Sequence, residues 1–259
     1  MDKKPTTPKS PIEPSHSIDS GAAEQATPII EELRKKLRSM AQPEVAKKIS
    51  NSFGPDVPCY GVEFSQVNRL GQDTMRRVRS SGLPLAMAIA DPLFRSGNIE
   101  EGVIANIILS AQARLIGGVE FEVFAVWVKH LTNPLNTDSL SSHLISRSLA
   151  GKPSLVNTLK EWAKDQSIWI RRAAPMSFVP LVREGRFVTD SLSVCEILIG
   201  DDDYFVQQGV GNLLMEATRL NAERVVDFLQ HRKNQTSSVI LRLAATKLKP
   251  AQRSMLLNK

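Results

Sequence analysis

At 259 residues, with 42% hydrophobic side chains, the chain is long enough to enclose a sizeable core. An aromatic share of only 5% suits leucine- and alanine-packed helices better than a β-sandwich, and the lack of any apolar run of about 18 residues excludes a membrane span. A formal charge of +6 with a pI near 9.4 is compatible with an anionic partner such as nucleic acid but proves none. Residues 1–27 are rich in Pro, Ser, Thr and Lys, with almost no large apolar side chains. Such a segment buries too little surface to offset its ordering entropy, so a disordered tail is expected there and a single domain over 28–259. No apolar segment of the kind a secretory signal needs occurs in it, which leads to an expectation of a cytoplasmic protein. Cys59 and Cys195 are too few for a disulfide framework and read as free thiols.

From Pro28 the pattern changes: Ile29, Ile30, Leu33, Leu37 and Met40 recur at three- and four-residue spacing and predict an amphipathic helix. Further helices are expected over 43–53, 65–80, 83–96, 99–116 and 121–131. After a break at 133–136 come 139–150, 154–164, 167–183, 189–199, 203–219, 222–231 and 237–248. Each break carries Gly, Pro, Asn or a charge cluster, and no strand-like alternation intervenes. Many helices on short connections imply stacked antiparallel pairs. A repeat supports this. Asp-Gln-Ser-Ile-Trp-Ile-Arg-Arg-Ala-Ala at 165–174 aligns without a gap on Asp-Asp-Asp-Tyr-Phe-Val-Gln-Gln-Gly-Val at 201–210, an offset of 201 − 165 = 36. Val-Ile-Leu-Arg-Leu-Ala at 239–244 matches 169–174 at an offset of 239 − 169 = 70. Arg172, Gln208 and Arg242 thus hold equivalent positions in successive helices, among small residues (Ala173, Ala174, Gly209, Gly211, Ala244, Ala245) that permit close helix contact. The predicted fold class is an all-α, HEAT-like helical-repeat solenoid.

Common catalytic signatures are missing: no P-loop, no His-Glu-x-x-His, no Cys-x-x-Cys, no Gly-x-Ser-x-Gly. His16, His130, His143 and His231 are scattered and suggest no metal site. Asp138 is expected at a helix head, either as an N-cap or as a carboxylate able to stabilise a cationic transition state. Arg171 and Arg172 are adjacent on one helix and point in different directions, so one of them at most faces a given groove. Trp162 and Trp169, seven residues apart, have the spacing of packing residues, with base stacking as the alternative.

The stretch from about Ile49 to Leu248 resembles the DNA alkylation repair enzymes of the AlkD type, HEAT-like DNA glycosylases. The resemblance is carried by Tyr60-Gly61-Val62, by Glu-Trp-Ala-Lys-Asp-Gln-Ser-Ile-Trp-Ile-Arg-Arg-Ala-Ala at 161–174, by Tyr-Phe-Val-Gln-Gln-Gly-Val-Gly at 204–211, and by the last helix around Arg242. The 161–174 block is the most specific of these. The resemblance implies a concave basic face that cradles double-stranded DNA, and removal of N3- or N7-alkylated purines without extrusion of the base. It also implies an aspartate that stabilises the sugar cation, and no metal or organic cofactor. A monomer acting in the cytoplasm, nucleoid-associated in a bacterium, would fit.

The family's catalytic region reads approximately Trp-Asp-x-x-Asp-Ser. Setting Asp138 at the second acid runs without a gap through Leu155 and makes Asp138 the catalytic carboxylate; setting it at the first acid puts Ser141 at that position and needs a gap inside a helix. In the first register Arg172 matches the family's DNA-binding arginine, and Arg171, Asn212 and Arg242 are the further expected DNA contacts. Pro134 and Asn212 stand where the family has tryptophans, Leu135 where it has an acid, and Met215 where it has an arginine. The resemblance therefore implies the fold directly. Glycosylase activity, a non-catalytic lesion sensor and a protein-binding scaffold remain as functional alternatives.

Overall fold

A computed structural model describes residues 19–257. In chain order the helices are α1 (Ser20–Ser39), α2 (Pro43–Phe53), α3 (Phe64–Val78), α4 (Gly82–Arg95), α5 (Ile99–Ser110), α6 (Phe121–Trp127), α7 (Pro134–Leu140) and α8 (Ser146–Gly151). Then follow α9 (Leu155–Trp162), α10 (Ile168–Met176), α11 (Val179–Arg183), α12 (Val188–Leu198), α13 (Tyr204–Gln230), α14 (Ser238–Ala244) and α15 (Pro250–Leu257). A π-helical turn, Ser141–Ile145, joins α7 to α8. No strand occurs among the described residues.

Helices α3, α5, α7, α10, α13 and α14 pack each on the next and form one layer. Behind them α4 packs on α5, α9 and α12 on α10, and α15 on α13 and α14. This is the expected all-α repeat stack: each unit buries its apolar stripe against its neighbours rather than around one central core. Trp127, fully buried, anchors the middle, stacked on Phe94 at 4.8 Å, with its indole N–H donated to Asp91 at 2.8 Å.

The repeat is legible in detail. Asp165 Oδ1 accepts the Ser167 N–H at 2.8 Å, and 36 residues on Asp201 Oδ1 accepts the Asp203 N–H at 2.9 Å. Arg171 donates to the Asp165 carbonyl, as Gln207 does to that of Asp201. The small residues do allow close approach. A Cβ on Gly211 would lie 2.7 Å from Leu243 Cβ, and one on Gly209 would lie 3.2 Å from Arg172 Cγ.

Three expectations need correction. Helix α1 begins at Ser20, inside the stretch expected to be tail; most of that tail, with His16, lies outside the described residues. Asp19 caps the helix, accepting the Ala22 N–H at 2.7 Å, and the helix buries Ala22 and Ala26, whose methyl groups are too small to register as an apolar stripe. Pro28 sits inside α1 rather than opening it. Helix α7 begins at Pro134, so Asp138 lies within the helix; the cap is Asn133, whose Oδ1 accepts the Asn136 N–H at 2.9 Å. Finally, α15 was not expected, having a single buried apolar residue, Leu256.

The Tyr60-Gly61-Val62 motif is structural. Its three consecutive N–H groups close on the buried Glu100 carboxylate at 2.8–3.1 Å. The Tyr60 hydroxyl donates to Glu101 at 2.6 Å, and Arg34 grips the same carboxylate with two hydrogen bonds of 2.9 Å. Gly61 has φ +82°, and a Cβ there would lie 2.6 Å from the Gln42 carbonyl oxygen. Burial and the Glu101 contact push the Tyr60 hydroxyl up to about 12. The effect is to bolt the chain between α2 and α3 onto α5.

Candidate functional site

Asp138 on α7 and Arg172 on α10 meet across the helix layer. Arg172 donates from Nε to Asp138 Oδ1 and from Nη2 to Oδ2, both at 2.7 Å, a bidentate pair of the strong, geometrically specific kind. Its remaining nitrogen, Nη1, donates to the Phe205 carbonyl on α13. The Arg172 side chain is 4% exposed and that of Asp138 29%. The guanidinium is therefore spent on protein acceptors, while one flank of the carboxylate keeps access to solvent.

The other expected residues are placed as follows. Arg171 is directed away from Arg172, as the helix geometry requires, and pairs with Asp201 at 2.6 Å. Arg242 is exposed on α14, its guanidinium leaning on the Ser238 carbonyl and hydroxyl. Asn212 is half-buried on α13, on the same helix face as Gln208 and the exposed Tyr204, which hydrogen-bond each other at 3.0 Å. Trp162 and Trp169 pack on Phe121 and Phe205 at 5.3 and 5.1 Å, the arrangement of core residues. Among the described residues no three His, Cys, Asp or Glu side chains converge as a metal site would need.

A row of arginines went unnoticed in the sequence reading. Arg147 on α8, Arg183 at the end of α11 and Arg219 on α13 are spaced by the repeat itself, 183 − 147 = 36 and 219 − 183 = 36. Gln208 and Arg219 are eleven residues apart on α13, close to three full turns, so they share a face about 16 Å apart along the axis. Arg147, Arg183 and Arg186 line one cavity of about 500 Å³. Behind the row stands Glu216, 4% exposed, with Arg183 and Arg219 at 2.8 Å and Lys247 at 2.5 Å. Burial pushes the Glu216 carboxyl up, but its hydrogen bonds to Arg183 and Lys247 outweigh that and hold it at about 2. The 36-residue period, applied to charged residues as well as to apolar ones, was the signal that could have found this row.

The family model for the DNA alkylation repair enzymes matches residues 33–248, most of the chain. The chain belongs to that family. A solved structure described as a predicted DNA alkylation repair enzyme from Enterococcus faecalis superimposes with a TM-score of 0.69. That alignment covers 82% of this chain and 98% of the other at 14% identity, a likeness of fold. No curated protein matches the chain. No helix among the described residues is long and apolar enough to cross a membrane.

Proposed function

We propose that this DNA alkylation repair family member binds duplex DNA along its α3–α14 helix layer and hydrolyses the N-glycosidic bond of N3- or N7-alkylated purines. Asp138 is the catalytic carboxylate of this reading. The observation that carries it is the Asp138 carboxylate, 29% exposed and clamped by Arg172 across α7 and α10, two helices of that layer. An alkylated purine is already cationic and departs with the glycosidic electron pair as a neutral base. The sugar left behind carries the positive charge, and water adds at its anomeric carbon with loss of a proton. A carboxylate fixed beforehand stabilises that cation without reorganising during the reaction. Arg172 acts as a positioning residue, and Arg147, Arg183, Arg219 and Arg242 supply the phosphate contacts, with Asn212 at the edge of the same face.

The test is release of free 7-methylguanine from methylated duplex. Asp138→Asn is expected to slow it by a factor on the order of 10²–10³. Undiminished release by the variant removes Asp138 from catalysis. A second reading, lesion binding without cleavage, is favoured by Pro134 and Asn212 at the two tryptophan positions, where aromatic walls for the sugar are lost. Preference for methylated over unmethylated duplex, with no base released by the wild-type chain, would establish it.

A further inference from the structure

A second cavity, of about 610 Å³, opens where α13 bends and where the chain passes from α14 to α15. Arg219, Arg224, Lys247 and Lys249 line it, and among the described residues Glu223 is the one carboxylate in its wall. The bend is what gathers them. On an unbroken helix, residues five apart point about 140° away from each other, so Arg219 and Arg224 would face different sides of α13. Asn221 interrupts the helix with φ −136° and ψ 41°, and both arginines line the same hollow. Each cation is held from the protein side or left free. Glu216, 4% exposed, pairs with Arg219 at 2.8 Å and with Lys247. Arg224 donates from Nη2 to the Thr189 hydroxyl at the head of α12, at 2.9 Å. Among the described residues neither Arg224 nor Lys249 has a carboxylate in ion-pair range.

Four cations therefore surround one hollow against Glu223 and Glu216, and Glu216 is shared with Arg183 as well. Like charges held this close repel, and an anion settling among them removes that cost. The wall holds one large apolar side chain, Leu220, so a hydrophobic ligand finds little to grip. We infer that this hollow is a phosphate site. A phosphate group presents its oxygens in several directions and suits cations that converge from α13, from beyond its bend and from the α14–α15 junction. A planar carboxylate presents two oxygens on one edge and would leave part of the set unused. The site also lies off the face of the helix layer. Arg224 stands past the bend and is tied to α12, and Lys249 directly precedes α15; both of those helices pack behind the layer. The phosphate comes either from the backbone of a duplex that runs past the arginine row or from a free phosphorylated compound. The first source rests on the duplex-binding reading and the second does not.

The experiment titrates the full chain with pyrophosphate by calorimetry and, separately, with an undamaged duplex at several salt concentrations. Wild-type protein is expected to bind pyrophosphate and to gain thermal stability from it. Arg224→Glu and Lys249→Glu leave the Glu216 pairs intact and are each expected to weaken pyrophosphate binding at least about tenfold. Arg147→Glu, in the other cavity, is expected to bind pyrophosphate as wild type does, and circular dichroism checks the fold of each variant. If Lys249→Glu also weakens the duplex and takes about one unit or more from the magnitude of its salt slope, the phosphate belongs to the DNA backbone, even where pyrophosphate itself does not bind. If pyrophosphate binding is lost and duplex binding kept, the ligand is a free phosphorylated compound. Pyrophosphate binding with no duplex binding at all leaves the site standing and removes the duplex reading. The assignment is overturned if Arg224→Glu and Lys249→Glu bind pyrophosphate as tightly as wild type, or if Arg147→Glu weakens it just as much. It is overturned equally if wild type binds no pyrophosphate and Lys249→Glu leaves the duplex unaffected.

Discussion

Arg172 shows how a sequence match can leave a residue's partner open. Its register with the family's DNA-binding arginine put it beside Asp138, but every guanidinium nitrogen is occupied by a protein acceptor. What decides this is the Phe205 carbonyl, a backbone group 33 residues away that no side-chain pattern reveals. A pair of this kind costs most when half of it is removed, because the buried guanidinium then lacks its counter-charge. Asp138→Ala is accordingly expected to cost about 3 kcal/mol, the low end of the range for buried pairs because the carboxylate keeps one wet flank. Replacing both members with apolar residues, as Asp138→Leu with Arg172→Met, is expected to recover much of that loss. Urea unfolding midpoints at constant m-value distinguish the two outcomes.

Most helices were legible, because apolar spacing and Gly, Pro and Asn breaks reflect the same backbone physics that sets the ends, but the helix expected over 167–183 is two, α10 and α11, and the one expected over 99–116 ends at Ser110. Two further errors arise from side chains that are small and from a misassigned cap. Ala22 and Ala26 extend α1 toward the N-terminus with methyl groups alone, and Asn133 rather than Asp138 caps α7. The π-helical turn after α7, Ser141–Ile145, has no compositional mark at all. Contacts between elements were predictable where glycine demanded them. Gly211→Ala is expected to force α13 from α14, since the new methyl would meet Leu243 at 2.7 Å, and to cost about 1–3 kcal/mol. A lowered thermal midpoint with unchanged helical signal at 20 °C would show this; an unchanged midpoint would mean that Leu243 can move aside freely.

Across the whole molecule, some of the surface charge follows the repeat. Arg147, Arg183 and Arg219 recur with the period that stacks the helices, so a row of cations forms without any local cluster in the sequence. If these three and Arg242 contact phosphates, the plot of log K for duplex against log salt should have a slope of roughly −3 to −4, and Arg219→Ala should reduce its magnitude by about 1. A flat plot would exclude the row as a phosphate track. Acid should act through Glu216. Its carboxyl is held at about 2 in the folded chain against an ordinary value of 4.5, so its contribution is complete above pH 4.5 and is lost as pH falls from there toward 2. Glu216→Gln should lower stability at pH 7 and flatten the decline through that acid window, measured by thermal unfolding across pH.

Glu216 also bears on how the molecule comes apart. Stacks of repeats ordinarily fray from their ends, one layer at a time, because each unit touches only its neighbours. Here one carboxylate on α13 is shared by Arg183 at the end of α11 and by Lys247 just past α14, so three successive layers have a common fastening. Amide protons of α11, α13 and α14 should therefore exchange with deuterium at a single rate in the native chain, and at separate rates once that fastening is cut.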